Sequence, residues 1–207
     1  MLAVPTRGQI GWQTVTRLEE IRDRTPGLAP IVYQPGNLSV ALTRNRIVKR
    51  FLETDATTLV MVDDDVVPPP HALEALDPLI PEFGMAAVPH PHPWPHDPGR
   101  IVLSAYDSAP GGGFAPATLA QGVNEVAAVA TGCVAISRAA LEATAPAPFR
   151  VSHDPDDLIS SDDFLFCADL RILGFRIAAW ADGWFADHVT TVGLAPLWET
   201  AAQGARV

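Results

Sequence analysis

Four groups of residues in this chain have the types and spacing to do chemistry. Asp63-Asp64-Asp65 closes the apolar run Leu59-Val60-Met61-Val62. Three adjacent acids cannot sit inside a core without a counter-charge, so they belong at the carboxyl end of that run. Oxygen ligands crowded at one point suit a hard divalent cation, Mg²⁺ or Mn²⁺. Taken alone, the same residues also read as a solvated acidic turn. In an extended backbone Asp63 and Asp65 face one way and Asp64 the other, so the outer pair can share a cation or a ribose hydroxyl.

Asp162-Asp163 follow Ser160-Ser161 at the head of a helical pattern. A serine there caps the helix and acids there complement its dipole. A carboxylate fixed in that place is also suited to act as a general base, ionised because the dipole lowers its pKa. Asp187-His188 ends the apolar run Trp184-Phe185-Ala186, and a neutral imidazole is a competent Mn²⁺ ligand. Thr43-Arg44-Asn45-Arg46 offers a guanidinium fork for phosphate or carboxylate, or else a solvated helix face. The tract His90-Pro91-His92-Pro93-Trp94-Pro95-His96 looks like a metal tract, but its prolines keep it extended. A loop that touches substrate is the better reading of it.

The elements that must position these groups follow from periodicity. Leu2-Ala3-Val4 is a short strand; Trp12, Val15, Leu18 and Ile21 recur at helical spacing. Residues 31–33 read as a strand, 40–53 as a helix, 59–62 as the strand carrying the acids, 71–79 as a helix and 84–88 as a strand. That alternation predicts a parallel sheet covered on both faces. In such sheets ligands bind at the carboxyl ends of the strands, where the acids stand. Beyond residue 88 the pattern is less regular. Residues 89–100 read as a loop, 101–106, 125–131 and 133–137 as strands, and 138–144 as a helix. Residues 161–173 read as a helix ended by Gly174, and 175–180 and 184–189 as strands.

The 207 residues are most simply one domain. It divides into a half at about 1–88, a half at about 89–193 and a tail at 194–207. A net charge of −10 opposes sequence-independent binding to a phosphate backbone. Cys133 and Cys167 lie in apolar surroundings and read as buried free thiols. With no signal peptide pattern and no apolar run of membrane-spanning length, the expectation is a cytoplasmic protein without a membrane span. There is no phosphate loop of Gly-x-x-x-x-Gly-Lys type and no nucleophile elbow.

Taken together, these residues resemble the GT-A fold glycosyltransferases. The likeness runs from the first strand with Val4-Pro5-Thr6-Arg7-Gly8 through Arg44-Asn45, Asp63-Asp64-Asp65 and Thr131-Gly132-Cys133. It continues to Asp162-Asp163 with Gly174 and ends at His188. The resemblance implies an α/β fold with a mostly parallel, Rossmann-like central sheet flanked by helices, and a smaller acceptor-side lobe. It implies Mn²⁺ or Mg²⁺ held by Asp65, Asp63 and His188 against the diphosphate of a nucleotide-sugar donor, a UDP- or GDP-sugar. Thr6, Arg7, Arg44, Asn45, Asp63 and Asp64 would contact that donor. Gly132, His90 and Trp94 would face the acceptor, which is a glycan, a small molecule or modified DNA. The second acid of the pair, Asp163, would be the base of an inverting transfer, with Asp162 as second choice. The family's first acid is usually Glu, one methylene longer than Asp162. Three other readings stay open: a transferase acting on hydroxymethylated DNA bases, a sugar-phosphate nucleotidyltransferase, and an inactive domain that only binds nucleotide or glycan.

Overall fold

The computed structural model describes residues 1–36, 39–94, 97–153, 159–182 and 185–189. The first half contains β1 (Leu2–Thr6), α1 (Trp12–Arg24), β2 (Val32–Pro35), α2 (Val40–Leu52), β3 (Thr58–Val62), β4 (Val66–Val67), α3 (Ala72–Leu76) and β5 (Met85–Ala87). Then come β6 (Pro91–Trp94), β7 (Asp97–Leu103), β8 (Ala105–Ser108), β9 (Phe114–Pro116), β10 (Gly122–Glu125), β11 (Ala128–Val129), β12 (Cys133–Ser137) and α4 (Arg138–Thr144). The remaining elements are β13 (Ser152–His153), β14 (Ile159–Ser160), α5 (Asp162–Ile172), β15 (Ile177–Ala181) and β16 (Asp187–His188).

A seven-stranded sheet runs in the order β10-β15-β5-β12-β3-β1-β2. Strands β1, β2 and β3 are parallel, as are β5 and β15. Strand β12 is inserted antiparallel between β3 and β5, and β10 is antiparallel to β15. The fold is therefore α/β, with a mostly parallel, Rossmann-like mixed sheet flanked by helices. The sheet is apolar on both sides because both sides are covered. Leu59 and Met61 of β3 pack with Ile47 and Phe51 of α2, Leu141 of α4 and Phe166 and Leu170 of α5. Val60 and Val62, one residue out of phase, pack on the other face with Leu18 and Ile21 of α1 and Leu73 and Leu76 of α3.

That division creates the site. From β1 the chain crosses one face through α1 to β2, and from β2 it crosses the other face through α2 to β3. Strand β1 thus lies between β2 and β3, and a crevice opens where its carboxyl end meets that of β3.

The second half departs from the expectations in several places. Most of the expected loop at 89–100 is a hairpin of β6 on β7, with Pro91 opposite Leu103 and Pro93 opposite Ile101. Both prolines fall on the same parity of a strand with one partner, where a missing N–H can face away from the ladder. The expected strand at 101–106 breaks at Ser104, and the expected strand at 125–131 is divided between β10 and β11. Among the described residues 185–189, Asp187–His188 is strand; Trp184 and the tail lie outside the described residues. Gly174 has a φ of 84° just beyond α5, the left-handed conformation that ends a helix most cheaply when no Cβ is present. Among the described residues no helix is long and apolar enough to cross a membrane.

Candidate active site

The crevice is a cleft of about 410 Å³. Thr6 and Arg7 at the end of β1 and the three acids after β3 form its floor, and Gly132, His90, Asp163 and His188 close the far side.

The three acids do not alternate as an extended strand would. Strand β3 ends at Val62, and the backbone turns, with the Val66 N–H donating to the Asp63 carbonyl at 3.1 Å. The carboxylates therefore leave in three directions. Both oxygens of Asp63 accept from Arg44 Nη2, at 2.9 and 2.8 Å. Asp64 is buried; its Oδ2 accepts from the Arg7 N–H at 3.0 Å, and its carbonyl accepts from the Gly11 N–H at 3.0 Å. It holds the loop between β1 and α1 in place. Asp65 is the most exposed of the three, with Oδ2 at 3.4 Å from His188 Nε2 and 3.9 Å from Arg7 Nη2. The Asp63–Asp65 pairing drawn from strand alternation is thus corrected: Asp63 faces inward and Asp65 has His188 beside it.

His188 arrives there through backbone pairing. Strand β16 pairs antiparallel with β4, so His188 stands opposite Val66, and the Val189 N–H donates to the Asp65 carbonyl at 2.8 Å. An acid from one half of the chain and an imidazole from its far end are held by one short ladder.

Arg44 is the largest correction. Expected on the donor's phosphates, it is 4% exposed and does not line the cleft. Besides Asp63, its Nη1 donates to Asp162 at 2.7 Å and to Asp163 at 3.1 Å. Burial opposes its charge, but Asp63, Asp163 and Asp162 outweigh burial and hold it firmly protonated. One guanidinium is the counter-charge that lets three acids converge under the cleft. Asn45 is corrected too. Its amide donates to the Phe149 carbonyl at 2.7 Å and its oxygen accepts the Phe149 N–H at 3.0 Å, so it anchors that loop and is not among the cleft-lining residues.

Asp163 also accepts from the Thr131 hydroxyl at 2.6 Å, on the same Oδ1 that Arg44 reaches. Its pKa is raised, through burial first and Asp162 also, against the lowering pull of Arg44 and Thr131. The dipole argument predicted a fall; the surroundings of the acid outweigh the helix end. Asp63 is pushed up to about 6, again chiefly by burial. Ser161, at the N-cap of α5, makes no side-chain capping bond.

Gly132 belongs to the cleft wall. Its carbonyl accepts from the Asp63 N–H at 2.9 Å, and a Cβ there would meet the His90 ring at 2.9 Å. His90 is buried, and burial followed by the proximity of His188 lowers its pKa to about 4. Trp94 lines neither the cleft nor the smaller pocket beside it; it packs at 6.1 Å from Tyr106, so its expected acceptor contact is replaced by a supporting one. The sequence assigned no role to Thr131, Tyr106 or Phe164, and took His92 only as part of a substrate-touching loop. Thr131 stood beside Gly132 in the quoted motif, but nothing local pairs it with an acid that lies 32 positions away.

The donor set fits a divalent cation in part. Asp65 and His188 offer one hard oxygen and one imidazole nitrogen, a pair suited to Mn²⁺ or Mg²⁺ when phosphates and water complete the shell. Among the described residues no group of three His, Cys, Asp or Glu side chains is placed to hold a metal ion. Asp63 also lines the cleft, but both of its oxygens are engaged by Arg44.

A switch-point crevice in a mostly parallel α/β sheet, floored by an acid turn, is the architecture of a GT-A fold glycosyltransferase. The model of the family described as "Glycosyltransferase like family 2" matches residues 14–206, and the chain belongs to that family. No curated protein matches it in sequence. Among solved structures it is similar to A197 from STIV, at 18% identity over 87% of this chain and 80% of that one, with a TM-score of 0.56. It is also similar to a CMP:2-keto-3-deoxy-manno-octonic acid synthetase complexed with CTP, at 12% identity over 100% of this chain and 98% of that one, with a TM-score of 0.52. Likenesses at these identities speak for the fold alone.

Proposed function

We propose that the protein transfers a sugar from a nucleotide-sugar donor, a UDP- or GDP-sugar, to an acceptor hydroxyl, with Asp163 as base and inversion at the anomeric carbon. The observation that carries this reading is that Asp65, His188 and Asp163 line one cleft. The nucleotide end lies against Thr6 and the loop that Asp64 pins. Arg7, whose side chain is 75% exposed, swings against the diphosphate. Asp65 and His188 would hold Mn²⁺ or Mg²⁺, which when bound supplies positive charge to offset that of the departing diphosphate.

The transfer balances without a further reactant. The acceptor oxygen bonds to the anomeric carbon, the bond from that carbon to the diphosphate breaks with its electron pair, and the acceptor's proton passes to Asp163. Arg44 and Thr131 hold that carboxylate on one oxygen. Its raised pKa makes it a stronger base than an open aspartate. The buried free thiols Cys133 and Cys167 agree with a reducing, cytoplasmic setting.

The test is nucleoside diphosphate release from a panel of sugar nucleotides in Mn²⁺, with the melting temperature as the binding readout. One donor should raise the melting temperature and be turned over, and Asp65→Ala should abolish turnover. If no donor is bound or consumed and Asp65→Ala changes nothing, the transferase reading fails. Pyrophosphate release from a nucleoside triphosphate and a sugar would instead favour a nucleotidyltransferase. Against that outcome, the loop after β1 carries one basic residue, Arg7.

A further inference from the structure

A side pocket of about 250 Å³ adjoins the donor cleft. Asp163 and His188 face both spaces, and His92, Tyr106 and Phe164 line the side pocket alone. Sites for drug-sized ligands run to roughly 300–1,000 Å³, so this one admits about a single ring.

Its walls are aromatic and braced. Tyr106 meets Phe164 edge-on at 5.0 Å, Phe114 stacks on Phe164 at 4.8 Å, and Trp94 packs at 6.1 Å from Tyr106. Such faces favour a six-membered ring laid against them over a flexible chain. The hydrogen bonds of His92 are those of a neutral imidazole. Its Nδ1–H donates to the Pro93 carbonyl at 2.9 Å, and its Nε2 accepts the Tyr106 hydroxyl at 2.6 Å. Burial, the first cause, lowers the His92 pKa and agrees with that form. Among the described lining residues there is no Lys or Arg. The fixed charge on its lining is the Asp163 carboxylate. The guanidinium bonded to it, Arg44, is shared with Asp63 and Asp162, so that cluster stays net negative in a chain of net charge −10. A phosphate-bearing acceptor would meet that carboxylate with no uncommitted cation to offset it, because Arg44 is shared by three acids and a cation held at Asp65 and His188 would be matched by the donor's diphosphate.

We infer that this pocket seats the acceptor, and that the acceptor is an uncharged molecule presenting one hydroxyl-bearing six-membered ring to Asp163. The inference rests on the transferase reading of Asp163. It disfavours sugar phosphates and nucleic acid as acceptors. A pyranose end and a phenol share the required chemistry.

The experiment uses the full chain in Mn²⁺ with methyl pyranosides, phenols, pyranose phosphates and a hydroxymethylated oligonucleotide. Two readouts are taken: saturation-transfer NMR of each compound without donor, and acceptor-stimulated release of nucleoside diphosphate with donor. Ring protons of a neutral compound should saturate, and that compound should raise release above the donor-only rate. A response to pyranosides alone assigns a glycan end, and a response to phenols alone an aromatic alcohol; either supports the inference. His92→Arg places a cation in the pocket and should turn the preference toward pyranose phosphates. Should that variant misfold, Tyr106→Phe keeps the ring, removes the hydroxyl that His92 accepts, and should raise the acceptor KM about tenfold. Donor turnover stimulated by a phosphate or the oligonucleotide in the unaltered protein overturns the inference and leaves the transferase standing. So does donor turnover that no neutral ring compound stimulates. Binding of a neutral ring without any donor turnover keeps the pocket's occupant and sinks the transferase reading instead.

Discussion

Two sets of acids meet at this cleft, and they are held in opposite ways. After β3 a turn spreads Asp63, Asp64 and Asp65 apart; all three line the cleft, but Asp63 is tied to Arg44 and Asp64 to the Arg7 N–H, while Asp65 stands beside His188. At the head of α5, Asp162 and Asp163 are drawn together under one guanidinium. Asp65 is 37% exposed and Asp163 21%. Spreading leaves one carboxylate free for an incoming ligand. Gathering buries another, and burial raises its pKa against the lowering pull of the counter-charge. The same residue type is held in two different states because its surroundings differ.

Replacing the gathered acid is the strongest way to break this contrast. Asp163→Asn keeps the shape and removes the proposed base, so kcat should fall by about 100- to 10,000-fold, with the melting temperature little changed. A small loss would move the base to Asp162. Removing the counter-charge comes next. Arg44→Met leaves three acids without their partner and should destabilise the fold by about 3–5 kcal/mol, read by denaturant unfolding. If stability holds, the acids do not depend on Arg44.

Within the turn the contrast is sharper still. Asp65→Ala should weaken Mn²⁺ binding beyond the roughly 10- to 100-fold that losing a ligand's supporting partner costs. Asp64→Ala should leave Mn²⁺ binding nearly intact and cost about 1–3 kcal/mol of stability by freeing the Arg7 loop. A reversed order would mean the turn has been read in the wrong direction.

The smallest effect is in pH. The acid limb of kcat/KM should lie above the ordinary aspartate value of 3.8, because Asp163 must be ionised and its pKa is raised. For stability the sign is opposite to that of an exposed ion pair. As pH rises from 3.8 to the folded pKa of Asp163, the unfolded chain gives up a proton that the folded chain keeps. The contribution of this group to stability therefore falls across that window. Unfolding curves of the parent and Asp163→Asn across the window measure the difference.

Much of this was legible in the sequence. The alternation of strand and helix to residue 88 carries the periodicity of a covered sheet, and an apolar run that breaks into acids marks a strand's carboxyl end. His188 was expected beside this edge, but it arrives through the pairing of β16 with β4 and not at the end of an apolar strand. What escaped is the direction of side chains. Whether Asp63 faces the cleft or Arg44 depends on where β3 stops, and the partners that gather Asp163 lie 119 and 32 positions away. Local pattern also missed the hairpin of β6 on β7, because prolines read as loop unless the strand has an open edge. The antiparallel insertion of β12 has no local signature, since its residues are as apolar as those of β3.

The shared guanidinium has a consequence for how this protein can vary. Asp63, Asp162 and Asp163 are bound to one residue, so none of them is an independent character. Each change at one alters the field felt by the other two, and paired replacements with Arg44 will not sum. A lineage that lost Arg44 first would face selection at three positions at once, so these four residues are expected to persist or disappear as a set.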